Sequence, residues 1–269
     1  MRKISVIAVV YNSAIESVPA VMVALSSDYV TQVVVCDNST VETGNRDAAQ
    51  KLGIDYISMG GNKGLSRAYN TGKRSCIGEV VCLFDDDTEV KNDYFASVYS
   101  LLESRQNWDV ALPLVICGKN VLSPCAFDGY RSRLFPSPED IREQADLSGI
   151  NSGMAIKRSL LNNIKHDERL FLDLVDHKFI SDVKEYGGRI VYLKGPVLKQ
   201  DYSLATDSEE SAFSRLAIFE RDARRFYSPA IDKRLYCSAM LLLRKVKLCA
   251  RFRTLHFLKP ASITRKDAR

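Results

Sequence analysis

Along the first 120 positions, apolar residues fall into short unbroken runs, separated by stretches in which they return every third or fourth residue. The runs are Ile4 to Val10, Gln32 to Cys36, Ile54 to Ile57, Val80 to Phe84 and Val110 to Cys117, and each reads as a strand. Between them Ser13 to Leu25, Val41 to Leu52, Leu65 to about Cys76 and Tyr94 to Leu102 carry helical spacing, and Gly53 supplies a helix stop. Strands and helices alternating at these intervals predict an α/β protein with a mostly parallel twisted sheet, flanked by helices and wound with right-handed crossovers.

Beyond Cys117 the rhythm changes. Gly118 to Leu147 is irregular and broken by Pro124, Gly129, Pro136 and Pro138; a long irregular segment in a compact domain is usually functional or disordered. Gly149 to Ile156 is a strand of small residues, a helix is expected from Asp176 through Tyr186 with Asp176 as its N-cap, and Arg189 to Leu193 and Val197 to Lys199 form a strand pair. In the last forty residues Leu235, Ala239, Leu242, Val246 and Cys249 recur as one stripe of a helix, with Arg244, Lys247 and Arg251 opposite.

Composition narrows the class. A chain of 269 residues that is 46% apolar and 26% charged has material for a full core. Its seven cysteines are scattered, with no CxxC pair, which fits a reducing cytosol better than a disulfide framework or a zinc site. The apolar run after Met1-Arg2-Lys3 stops at Tyr11, too soon for an export signal, and no run reaches the length of a membrane span. The net charge of +5 conceals an asymmetry: residues 232–269 hold eleven basic residues against Asp232 and Asp267, leaving the remainder at −4. The chain therefore divides into an acidic main domain over 1–231 and a basic amphipathic tail over 232–269, suited to a membrane surface or a homodimer contact. Nucleic acid is disfavoured by the acidic body and the lack of an aromatic-basic platform.

Candidate chemistry gathers at strand ends. The run ending at Phe84 is followed by Asp85, Asp86 and Asp87, where ligands of open α/β sheets bind. Three adjacent carboxylates call for a cation, and hard oxygen ligands suit Mg²⁺ or Mn²⁺; the same acids also read as a solvated turn before the helix near Asn92. Asp37 ends the second strand. The first strand runs into Tyr11-Asn12 without the GxGxxG of a dinucleotide fold, so nicotinamide cofactors are disfavoured, and no GxGTRL-like loop marks a nucleotidyltransferase. Glycines at Gly60-Gly61-Asn62-Lys63-Gly64 open a helix whose backbone N–H groups suit an anion.

In this order and spacing, Tyr11-Asn12, Asp37-Asn38-Ser39, the alternating series Asn62, Gly64, Ser66, Ala68, Asn70 and Gly72, and Asp85-Asp86-Asp87 resemble the family 2 GT-A glycosyltransferases. The bacterial rhamnosyl- and galactofuranosyltransferases of polysaccharide biosynthesis look closest, over about residues 3–205. The resemblance implies that Tyr11 and Asp37 line the nucleotide base, that Asp85 lies near the ribose and that Asp87 ligates the metal. It also implies that Asn12, Asn62, Gly64, Arg67 and Asp86 surround the donor. It makes Asp176 the base of an inverting transfer, with Asp173 the fallback and His177 at the rim. Many relatives carry a metal-binding histidine after the final strand pair, where this chain has Gln200-Asp201, so one of these or a water replaces it. The expected partners are a dTDP- or UDP-sugar donor and a lipid-linked saccharide acceptor, with the protein cytoplasmic and peripheral at the inner face of the plasma membrane. A non-catalytic sugar-nucleotide-binding scaffold is the alternative.

Overall fold

The computed structural model describes residues 3–104, 106–200 and 208–259. Its first strand, β1 (Ile4–Val10), is buried at every position, as a strand covered on both faces must be. The chain then alternates: α1 (Pro19–Leu25), β2 (Val30–Asp37), α2 (Asn45–Leu52), β3 (Asp55–Ser58), α3 (Leu65–Gly72) and β4 (Val80–Asp85). β2 and β4 lie parallel on either side of β1, and β3 lies parallel beyond β2. The carboxyl ends of β1, β2 and β4 therefore share one edge. Three helices are shorter than the apolar spacing predicts, because α2 starts only at Asn45, α3 stops at Gly72 and the Ser13–Leu25 stretch splits into a 3₁₀ turn at Ile15–Ser17 and α1.

The second half extends the same sheet. β5 (Thr88–Glu89), α4 (Asn92–Glu103) and β6 (Val110–Cys117) follow, and then four short strands within and just after the irregular segment: β7 (Asn120–Ser123), β8 (Cys125–Phe127), β9 (Ser132–Leu134) and β10 (Leu147–Ser148). β8, β9 and β10 pair as a separate small antiparallel sheet. β11 (Met154–Lys157) runs antiparallel between β4 and β6. After α5 (Arg158–Leu161) and α6 (Val175–Glu185), β12 (Ile190–Gln200) lies parallel to β6 and ends antiparallel to β5. The expected strand pair is thus one strand with an irregularity between Leu193 and Val197, at Gly195, whose φ is 112°. Among the described residues the main sheet has nine strands, in the order β3-β2-β1-β4-β11-β6-β12-β5 with β7 beside β6. One apolar cluster fills each face, around Phe84, Tyr94 and Trp108 on one side and Tyr69, Leu112 and Phe179 on the other.

Two further helices close the chain. α7 (Glu209–Phe226) begins with a Ser208 cap whose hydroxyl accepts from the Ser211 N–H. α8 (Ile231–Phe252) packs on it through Cys237 and Leu241, against Ala223 and Tyr227. Lys245 of α8 pairs with Glu220 of α7 at 2.8 Å, and Asp232 accepts a hydrogen bond from the Tyr130 hydroxyl. No helix among the described residues is long and apolar enough to cross a membrane.

Candidate active site

Asp85, Asp86 and Asp87 border a cavity of about 580 Å³ together with Tyr11, Asn62 and Gly64. Each acid is held by different neighbours. Asp85 accepts from the hydroxyls of Tyr69 at 2.7 Å and Ser152 at 2.8 Å. Asp86 accepts from the Tyr11 N–H at 3.1 Å and the Ser13 hydroxyl at 2.8 Å. Asp87 accepts from the Gln200 side-chain amide at 3.0 Å, a contact that follows from sheet register, since Gln200 stands opposite Thr88. Burial pushes the Asp85 carboxyl up to about 6, with the two hydroxyl donors opposing it.

Other expected site residues lie elsewhere. Asp37 is buried and spends its oxygens internally, on the Ser39 N–H at 2.8 Å, the Asn45 amide at 2.9 Å and the Tyr56 hydroxyl at 3.0 Å. It fixes the turn after β2 and leaves its neighbour Asn38 to border the cavity. Asn12, in the left-handed region at φ 55°, ties the ends of β1 and β2 together: its N–H donates to the Ser39 hydroxyl at 2.9 Å and its side chain accepts from the Thr40 N–H at 2.9 Å. Arg67 points away from the cavity that Leu65 borders, because two residues along a helix turn a side chain to the far side; it faces Glu168 at 3.7 Å.

The start of α3 differs from the expected anion cradle. The N–H groups of Lys63, Gly64 and Leu65 donate to the Asn38 side chain at 3.1 Å, the Asn62 side chain at 3.2 Å and the Phe171 carbonyl at 2.7 Å. Gly64 is required for another reason: at φ 85°, a Cβ there would sit 2.5 Å from the Phe171 ring and 2.6 Å from its carbonyl oxygen. The glycine lets the 171–173 loop lie directly on the helix start.

That loop leads to Asp176. A second cavity of about 680 Å³, bordered by Asp176, Ser132, Leu134 and Asn151, shares Asp85, Asp173, Gln200 and Arg215 with the first. Asp176 lies in the first turn of α6, but Leu174, at φ 61°, is the cap residue; the expected cap role of Asp176 is corrected to a bond from the adjacent His177 N–H at 2.7 Å. His177 is buried, yet it borders the second cavity beside Asp176. Its ring bridges the hydroxyls of Ser132 and Ser148, each at 2.7 Å, and stacks on Phe127 with centroids 4.2 Å apart. Burial lowers its pKa, so the neutral ring ties α6 to the 118–147 segment. Asp173 is engaged by both terminal nitrogens of Arg215, an arrangement that holds a carboxylate as an ion-pair partner.

Three contributors on α7 and α8 escape a sequence reading: Arg215 and Arg244, which border the first cavity, and Asp222. One oxygen of the fully buried Asp222 accepts the backbone N–H groups of Phe171, Leu172 and Asp173 at 3.0, 2.8 and 3.1 Å. The available signal was an acid among buried α7 positions, between Leu216 and Ala223; Arg244 shows none beyond a basic helix, and Arg215 none at all on a helix whose charges balance.

No group of three or more His, Cys, Asp or Glu side chains among the described residues is arranged to hold a metal ion. The oxygens of Asp85 to Asp87 still form a hard donor set that suits Mg²⁺ or Mn²⁺, which takes one or two carboxylates where phosphate oxygens complete its shell. Asp201, the other expected stand-in for a histidine ligand, lies outside the described residues.

Comparison with known proteins bears on this geometry. The profile described as Glycosyl transferase family 2 matches residues 5–164. A dTDP-rhamnosyl transferase, RfbF of Shigella flexneri, is 24% identical over 245 residues, covering 88% of this chain and 78% of that protein. Among solved structures, the mannosyltransferase PcManGT from Pyrobaculum calidifontis, in complex with GDP-Man and Mn²⁺, superposes with a TM-score of 0.57 at 17% identity, covering 95% of this chain and 74% of that one. S. aureus TarS matches with a TM-score of 0.52 at 19% identity over 98% of this chain, which spans only 44% of the TarS chain.

Proposed function

The chain belongs to glycosyl transferase family 2, and from that premise we propose that it is an inverting, metal-dependent enzyme transferring rhamnose from dTDP-rhamnose to a lipid-linked saccharide. It is a glycosyltransferase with the GT-A arrangement of sheet and flanking helices. The observation that carries the finer reading is the junction of the two cavities, one bordered by Asp85 to Asp87 and the other by Asp176, at Asp85, Asp173, Gln200 and Arg215. In this reading the donor occupies the first and the acceptor the second. The Shigella relative supports dTDP-rhamnose as donor; a UDP-hexose is the competitor, favoured by the S. aureus TarS fragment solved with UDP-GlcNAc.

In the transfer, Asp176 takes the proton of the acceptor hydroxyl as its oxygen attacks the anomeric carbon from the face opposite the diphosphate. The bond from that carbon to the phosphate oxygen breaks, and the diphosphate leaves with its electron pair. Arg215 and Arg244 border the cavity in which that charge develops; Arg215 is compensated by Asp173, and Arg244 supplies positive potential toward the cavity. Mg²⁺ or Mn²⁺ held by Asp87, with donor phosphate oxygens, would stabilise the same charge as a Lewis acid. The 171–173 loop, clamped by Asp222, sets where Asp176 stands. The reading includes a peripheral position at the inner face of a membrane, where a lipid-linked acceptor is within reach.

Two variants separate the roles. Asp176→Asn is expected to keep nucleotide binding and lower transfer by at least about a hundredfold; unchanged turnover removes it as the base. Asp87→Ala is expected to abolish Mn²⁺-dependent nucleotide binding measured by calorimetry, and unaltered binding removes it as the metal ligand.

A further inference from the structure

The side of α8 turned away from α7 remains unaccounted for by transfer chemistry. Ile231, Leu235, Leu242, Leu243 and Val246 are 50–69% exposed, while Cys237 and Leu241 face α7. At 3.6 residues per turn the five fall in one sector, and Arg234 and Lys247, both exposed, fall on its two margins. Large apolar side chains gathered on one exposed face mark an interaction site.

We propose that this face docks on an anionic phospholipid surface, with the apolar sector entering the headgroup boundary and the basic margins meeting lipid phosphates. Charge chooses this occupant. Residues 231–259 hold eight Lys or Arg against Asp232 alone, and that acid is already engaged by Tyr130. Arg244 and Lys245 turn inward, onto the Phe219 ring at 4.0 Å and Glu220 at 2.8 Å, whereas Arg234, Lys247, Arg251, Arg253 and Lys259 are exposed. Apolar centre and basic margins are the make-up of an interfacial helix. A second copy in a two-fold contact would instead set basic margin against basic margin. Unlike a free-standing amphipathic helix, α8 is already folded against α7, so docking requires no new helix.

The proposal assigns the membrane partner of the reading above to particular residues, yet vesicle binding needs no donor or metal, so the two fail in different assays. The test is co-sedimentation of the full chain with vesicles of phosphatidylcholine alone or mixed with phosphatidylglycerol. Binding is expected only to the mixed vesicles and should weaken with salt. The triple variant Leu235→Gln, Leu242→Gln, Val246→Gln should lose it while keeping its unfolding midpoint. Arg234→Gln with Lys247→Gln, which leaves the apolar sector intact, should weaken binding about thirtyfold. Absence of binding by the native chain, or equal binding by both variants, overturns the proposal. So does a native dimer that the triple variant dissociates without any vesicle binding, which would assign the face to a second copy.

Discussion

Asp222 shows how one buried carboxylate organises a site it does not border. Three backbone N–H groups converge on its Oδ2, and Arg221 donates to Oδ1 at 3.1 Å. Hydrogen bonds to a charged group contribute roughly 1.5–3 kcal/mol each, so Asp222→Asn, which keeps the shape and removes the charge, is expected to destabilise by about 2–3 kcal/mol. As a positioning residue it should also lower kcat more than it raises the donor KM, because the 171–173 loop leads to Asp176; stability loss with unchanged kcat would reduce it to a structural role. His166 gives a residue-scale test of a different kind. It is buried, stacked on Phe179 at 4.3 Å, and neither ring nitrogen has a hydrogen-bond partner among the described residues. Burial lowers its pKa to about 3. Between about 3 and the ordinary value of 6.5 the unfolded chain binds a proton that the native ring refuses, so stability falls as pH drops below 6.5, by about 2 kcal/mol at pH 5. His166→Phe should therefore flatten the fall in thermal midpoint between pH 7.5 and 5; an equal fall in both proteins would show that another group is responsible. At this scale Asp85 to Asp87 were legible as acids at a strand end, because they interrupt an apolar run, and Asp176 was reached through the family resemblance; each lines a cavity. The inward commitment of Asp37, the burial of His177 and the far-side placement of Arg67 were not, since each depends on partners from distant strands and loops.

At the scale of elements, α8 carries apolar residues on two sides, and periodicity alone finds a stripe without saying what covers it. Of the stripe read from the sequence, Leu235, Ala239, Leu242 and Val246 are exposed and Cys249 packs against the Phe257 cluster; Cys237 and Leu241, a quarter of a turn or more from those four, make the contact with α7. Adjacent residues therefore test the packing. Leu241→Ala should cost about 2–4 kcal/mol in chemical denaturation, whereas Leu242→Ala should stay within about 0.5 kcal/mol; reversed effects would turn the helix over. The parallel half of the sheet was readable because β1, β2 and β4 are apolar runs with helices between them. Less was readable after Cys117, where β8, β9 and β10 are two or three residues long and pair through contacts too short for a period to register. Gly64 belongs to this scale as well: a Cβ there meets Phe171 backbone and ring together, so Gly64→Ala should displace the 171–173 loop and lower turnover along with stability, and a variant with native stability and turnover would contradict the tight contact.

In the whole molecule, the sheet edge supplies the acids, the 118–147 segment supplies one wall of the second cavity, and the two C-terminal helices bring Arg215 and Arg244 to the first. The tail set apart by its charge is thus also part of the framework around the first cavity. That arrangement makes donor binding the central claim, and a ligand that binds only the native state raises its apparent stability by mass action. The most direct measurement is a thermal-shift series with dTDP, UDP, GDP and CDP, each with and without Mn²⁺. The account predicts stabilisation by dTDP that requires Mn²⁺ and is lost in Asp87→Ala, at a hundred times the dissociation constant amounting to about 2.7 kcal/mol. No shift with any nucleotide, or a shift indifferent both to Mn²⁺ and to Asp87, would contradict it.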